Sequence, residues 1–110
     1  MVKERPSKKL DREVWSLISE KIVSGDYVFL NHAKKRLKDR NITDVEVLNI
    51  LESKVGKKRK RNKAKDSFDM NHGNWKYCIE GQNNDEQKIR VIISFDSNYM
   101  LIITVIRLDN

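Results

Sequence analysis

One cysteine, Cys78, stands in the whole chain, so no internal disulfide can form and no cysteine-rich metal site can be built. A reducing cytoplasm fits that usage. The only histidines, His32 and His72, lie far apart in sequence, which leaves a zinc site without ligands and predicts neither metal nor cofactor. With four glycines there is no Gly-rich phosphate loop, and paired-carboxylate motifs and a nucleophile elbow are missing too. Long hydrophobic runs are also lacking. "YMLIITVI" falls far short of the roughly 20 residues of a membrane helix. The opening "MVKERPSKKLDREV" has no apolar signal core. The expectation is a soluble, cytoplasmic protein with no membrane partner.

What is present is charge. Of 110 residues, 38% are hydrophobic and 35% charged, which allows one domain with a modest core under a heavily charged surface. The formal charge of +7 is localised. Residues 54–65, "KVGKKRKRNKAK", hold eight of the 23 basic residues and no acid, leaving 15 basic against 16 acidic residues elsewhere. Such a tract is the footprint of polyanion binding, and a solvated loop has the same composition. Lys57, Lys58, Arg59, Lys60, Arg61, Lys63 and Lys65 are therefore candidate nucleic-acid ligands.

The hydrophobic pattern divides the chain in two. Val14, Trp15, Ile18 and Ile22 recur at helical spacing over 11–24, with Asp11 as N-cap and Gly25–Asp26 as the stop. "YVFL", 27–30, reads as a short strand or a lead-in. Asn31 is placed to cap a helix over 32–40, with Leu30, Ala33 and Leu37 inward. Thr43 and Glu46 form a capping box flanked by the Ile42–Val47 staple. A helix over 44–54 follows, with Val45, Leu48 and Leu51 inward and Gly56 at its end. Residues 1–9 are expected to be a flexible N-terminus, and 55–73 a long, mobile basic loop. "NWKYCIEG", "KIRVIISFD" and "YMLIITVIRL" are rich in β-branched and aromatic residues, and "QNNDEQ" and "DSN" read as hairpin turns. Helices first and a meander after predict an α+β domain: two or three N-terminal helices on a C-terminal antiparallel sheet of three to four strands. The last two strands are apolar at nearly every position, so cover is expected on both faces.

On the second helix His32, Arg36 and Arg40 share one stripe, with Lys35 and Asp39 beside it. His32 falls at the positive end of the helix next to an arginine, a setting that favours the neutral, proton-accepting imidazole. The same residues also suit a plain surface helix whose arginines pair with carboxylates. Arg90 interrupts the aliphatic "KIRVIISF" on a face with Ile92 and Ser94, and such an arginine has a partner or a ligand. Thr104 interrupts "LIITVI" and is assigned to the face of Met100, Ile102 and Ile106. His72, in "DMNHGNW", reads as a loop histidine.

"HAKKRLKDRNITDVEV" resembles the opening of a small bacterial domain family of unknown function with the pattern His-Ala-x-x-Arg-x-x-x-Arg-x-Ile. "IITVI", 102–106, resembles its closing strand. That family looks related to the RelE-like toxins, small ribonucleases of toxin–antitoxin modules. The likeness spans residues 28–107; the first helix and the basic tract lie outside its pattern. It implies a RelE-like toxin architecture, a neutralising antitoxin partner, and roles for His32, Arg36, Arg40 and Thr104.

Two functions are carried forward. One is a metal-independent endoribonuclease. RNA supplies its own 2′-OH nucleophile, His32 serves as acid or base, Arg36 and Arg90 hold the phosphate, and the tract grips flanking backbone. Its substrate would be RNA, free or on the ribosome. The other is a binding module without chemistry, for RNA, DNA or a protein, in which Trp75 or Tyr77 stacks on bases. "KKRKRNKAK" also fits a nuclear-import address for a delivered protein.

Overall fold

The computed structural model describes residues 5–52 and 59–108. Three helices come first: α1 (Asp11–Ser24), α2 (Asn31–Arg40) and α3 (Asp44–Glu52), with strand β1 (Tyr27–Phe29) between α1 and α2. Strands β2 (Lys60–Arg61), β3 (Ser67–Asp69), β4 (Asn74–Gln82), β5 (Lys88–Phe95) and β6 (Met100–Arg107) follow, with a 3-10 turn at Lys63–Lys65. The class is α+β.

The sheet is larger than expected. It has six strands in the order β1-β6-β5-β4-β2, with β3 also pairing β4, and it is mixed. The antiparallel meander β4-β5-β6 is its body. "YVF" joins as a strand parallel to β6, with Tyr27 opposite Met100 and Phe29 opposite Ile102. β2 and β3 come from the segment read as a featureless loop. Residues 59–73 make short pairings with β4 there, while 55–58 lie outside the described residues.

The helix ends show how local chemistry sets boundaries. Gly25, at φ 79°, stops α1, and its N–H and that of Asp26 reach the carbonyls of Ile22 and Lys21. The cap of α1 is Leu10 rather than Asp11, and Glu13 Oε1 accepts the Leu10 N–H at 2.9 Å. Likewise Leu30 rather than Asn31 caps α2, without a side-chain bond. The Thr43–Glu46 capping box is present in both directions, at 3.1 and 3.4 Å, and its staple residues Ile42 and Val47 are buried.

On α3 the inward stripe is Val47, Ile50 and Leu51, while Val45 is 59% exposed. Leu51 is inward as expected and Leu48 is half-buried, but Val47 and Ile50 take the place of Val45, because five apolar residues in a nine-residue helix give a weak period. Gly81 on β4 lets α3 close onto the sheet. A Cβ built there would lie 2.7 Å from Ile50 Cγ2.

The core joins Val14 and Ile18 of α1, Ala33 of α2 and the α3 stripe to Ile79, Ile89, Val91, Ile93, Met100, Ile102 and Val105 of the sheet. One sheet face is thus covered by helices. The N-terminal stretch also packs: Lys9 N–H donates to the Tyr77 hydroxyl at 3.0 Å, and Trp75 Nε1 donates to the Pro6 carbonyl at 2.8 Å. Residues 5–9 are therefore tied to β4 where a loose end was expected.

Candidate functional site on the open sheet face

The second face of the meander carries the alternate residues. Lys76 sits opposite Ser94, Cys78 opposite Ile92, and Glu80 opposite Arg90. A one-residue irregularity on β6 then resets the alternation. Ile93 pairs with Ile102 but Ile92 with Thr104, leaving Ile103 as the extra residue. Met100 and Ile102 accordingly fall in the core, whereas Thr104 and Ile106 share the open face with Arg90 and Ile92. This corrects the assignment of Thr104 to the face of Met100 and Ile102. An unbroken apolar run gives no mark of where a bulge will fall. Ile92, Leu101, Ile103, Thr104 and Ile106 are all half-buried.

Arg90 does have a partner. Its Nε and Nη2 both donate to Glu80 Oε2, at 3.0 and 2.9 Å, and Asn62 Nδ2 donates to the same oxygen at 3.0 Å. Burial pushes the Glu80 carboxyl up, but these donors outweigh it and hold the group below its ordinary range. Cys78, fully buried beneath this cluster, is pushed up to about 11 by desolvation, opposed by Arg90. A thiol in that state is not a nucleophile at neutral pH.

Among the described residues the α2 stripe makes no hydrogen bond or ion pair to this cluster: Glu80 and Arg90 are bonded to each other, and Glu80 to Asn62. His32 and Arg40 are exposed and Arg36 is half-buried. Among the described residues no hydrogen bond or ion pair reaches the side chains of His32, Arg36 or Lys35, and none of the three lines either of the two larger depressions. Arg40 contributes its carbonyl to the Arg107 guanidinium. Among the described residues no hydrogen bond, ion pair or shared depression joins His32 to Arg90.

The basic tract divides by residue type. The Arg61 side chain is 2% exposed. Its Nε and Nη2 donate to Asp66 Oδ2 at 3.0 and 2.8 Å, its Nη1 donates to Asp11 and to the Lys9 carbonyl, and it stacks on Tyr77. Arg59 lies 4.2 Å over the Trp15 ring and donates to the Leu51 carbonyl. Both arginines fasten the segment to the domain, which a count of charges cannot reveal. Lys60, Lys63 and Lys65 stay exposed, with Lys63 paired loosely to Asp11 at 3.3 Å. Lys57 and Lys58 lie outside the described residues.

A depression of about 320 Å³ opens on the same face, between the β3–β4 turn and β6. Leu30, Leu101 and Ile103 give it an apolar side, and Asp69, His72, Lys76 and Asp96 give it charge. His72 is held by the turn. Asp69 pairs with Asn74 across the hairpin, Gly73 takes φ 65°, and His72 Nδ1 lies 2.8 Å from Asp69 Oδ2. That hydrogen bond is the chief cause holding the Asp69 carboxyl below its ordinary range. Reading the sequence alone passes over this pair. Its one signal is Asp-x-x-His-Gly at a hairpin turn.

Neither the comparison with characterised proteins nor that with solved structures gives a match. The model of a family described as a domain of unknown function, DUF4258, matches residues 29–107, from the last residue of β1 to the end of β6 with α1 outside it, and the chain belongs to that family.

Proposed function

We propose that this protein is a RelE-like, metal-independent endoribonuclease that works on RNA laid across the open face of its sheet and is held in check by an antitoxin. The observation that carries the reading is that face itself. Its strands present Lys60, Lys76, Lys88 and Arg90 beside half-buried aliphatic residues, opposite the helical layer. Cations along such a surface suit a phosphate backbone, and apolar neighbours suit unstacked bases. The likeness of "HAKKRLKDRNI" to the family motif supports the same reading.

In the reaction, the 2′-oxygen bonds to the adjacent phosphorus as its proton passes to a base. The P–O5′ bond breaks, the 5′-oxygen takes a proton, and a 2′,3′-cyclic phosphate remains. The protein has to supply a base and stabilise the extra negative charge of the phosphorane. No metal is required. Incubating purified protein with total RNA in EDTA tests this. Fragments ending in 2′,3′-cyclic phosphate are expected, and intact RNA over a titration that saturates binding would contradict it.

A second reading, RNA binding without cleavage, is favoured by one observation. Arg90 already pairs with Glu80, so a phosphate would have to displace that carboxylate before Arg90 could clamp it. Intact but bound RNA in the same incubation is the result expected from that reading.

A further inference from the structure

We infer that the depression between the β3–β4 turn and β6 is a ribonucleotide subsite, with His72 as its acid–base group, Asp69 as the residue that positions His72, and Lys76 as the phosphate contact. Binding at this depression stands on its geometry; the acid–base role rests on the endoribonuclease reading.

The geometry supplies each part. Asp69 Oδ2 lies 2.8 Å from His72 Nδ1, and a neutral ring in that bond carries its proton on Nδ1 and has Nε2 as its acceptor. The other carboxylate oxygen accepts the N–H groups of Asn71 and His72, at 3.0 and 3.3 Å, so Asp69 is fixed from both sides. The imidazole side chain is 79% exposed and open to a substrate. Lys76 stands opposite Ser94 in the strand register, and among the described residues no carboxylate pairs with it. An unpaired ammonium beside a histidine in a concave site favours an anion.

Asp96 also lines the depression. Its Oδ1 accepts the N–H groups of Asn98 and Tyr99 at 2.8 and 2.6 Å, which offsets part of its charge. Leu30, Leu101 and Ile103 offer an apolar wall of the kind a ribose or base edge packs against. During cleavage the 2′-OH proton would pass to His72 Nε2 while the 5′-oxygen takes a proton from water. Lys76 would meet the charge building on the phosphate. His32, on α2, has no such setting.

Two readouts test this. In the first, a nucleoside 3′-monophosphate is titrated into the full chain and the histidine side chains are followed by NMR. The His72 ring resonances are expected to move saturably and those of His32 to stay, with the response lost in Lys76→Gln. No shift at His72, or an equal shift at His32, overturns the subsite. The second is cleavage of RNA in EDTA. His72→Gln is expected to lower the rate by about 10²-fold or more, and Asp69→Asn by less, while Lys34→Gln on α2 stays within a few-fold of wild type. Cleavage at the wild-type rate in His72→Gln overturns the acid–base assignment. A His72 shift with no cleavage by wild type overturns the endoribonuclease reading instead and leaves a nucleotide-binding site.

Discussion

Arg61 and Asp66 are joined by two hydrogen bonds to one carboxylate oxygen, at 2.8 and 3.0 Å, and both side chains are out of solvent. Asp66 also accepts the Cys78 N–H on β4 at 2.9 Å. This pair anchors the most basic stretch of the chain to the sheet. Removing the cation alone would leave the buried carboxylate with only the Cys78 N–H and, at 3.7 Å, Lys8, and breaking a buried pair typically costs about 3–5 kcal/mol. Arg61→Met is therefore expected to lose stability on that scale in urea unfolding, while Lys65→Gln stays within about 0.5 kcal/mol of wild type. Equal, small losses in both would show that the tract is only a solvated loop.

Gly81 is needed for the space it leaves. An added methyl would meet Ile50 Cγ2 at 2.7 Å, so α3 or β4 has to shift. Overpacking of this kind costs about 1–3 kcal/mol. Gly81→Ala should lower the unfolding midpoint, and Gly81→Ala combined with Ile50→Val or Ile50→Ala should recover part of the loss. Additive losses in the double variant would place the strain elsewhere.

The carboxyl of Glu80 gives a pH signature. Although burial alone would raise it, the Asn62 and Arg90 hydrogen bonds hold it low in the folded state. A depressed folded value stabilises the fold above the unfolded value of about 4.3, and the contribution disappears as pH falls through the lower folded value. Thermal midpoints of wild type and Glu80→Gln should differ most near neutrality and converge below about pH 4. A gap that stays constant into acid would mean that Glu80 contributes by packing rather than by charge.

Much of this fold is legible in the residues. Thr43, Glu46, Ile42 and Val47 spell a helix start through side chains that act within one turn, and the three long strands announce themselves by β-branched runs. Local chemistry of that kind does not depend on the rest of the chain. Apart from cap positions and the stripe of α3, the failures are non-local. Ile103 becomes a bulge only through its pairing with β5, and that alone decides that Thr104 faces outward. Arg61 looks like its neighbours until Asp66, Asp11 and Tyr77 are brought around it. The same holds for the candidate site. His32 stood out because its spacing to Arg36 and Arg40 is visible on a helix. His72 comes to share a depression with Lys76, Leu101 and Ile103 only once the hairpin, β5 and β6 are joined in one sheet.

If RNA lies along the open face, its affinity should fall steeply with salt, because each phosphate neutralised releases counterions, at a slope of about 0.7 per contact on single strands. Replacing Lys60, Lys63, Lys65 and Lys76 with glutamine should flatten a plot of log affinity against log salt. Replacing Lys34 and Lys38 on α2 should leave the slope unchanged. The reverse pattern would move the polyanion contact to the helical side of the molecule.

The most direct test of the central claim uses one oligonucleotide sequence in two forms, as RNA and as fully 2′-O-methylated RNA, each incubated with the purified protein in EDTA. The account predicts that the RNA is cut to 2′,3′-cyclic phosphate and 5′-hydroxyl ends, and that the methylated strand binds but stays whole, because its nucleophile is blocked. Cleavage of both strands would contradict attack by the 2′-OH, and cleavage of neither, with both bound, would contradict the enzyme altogether.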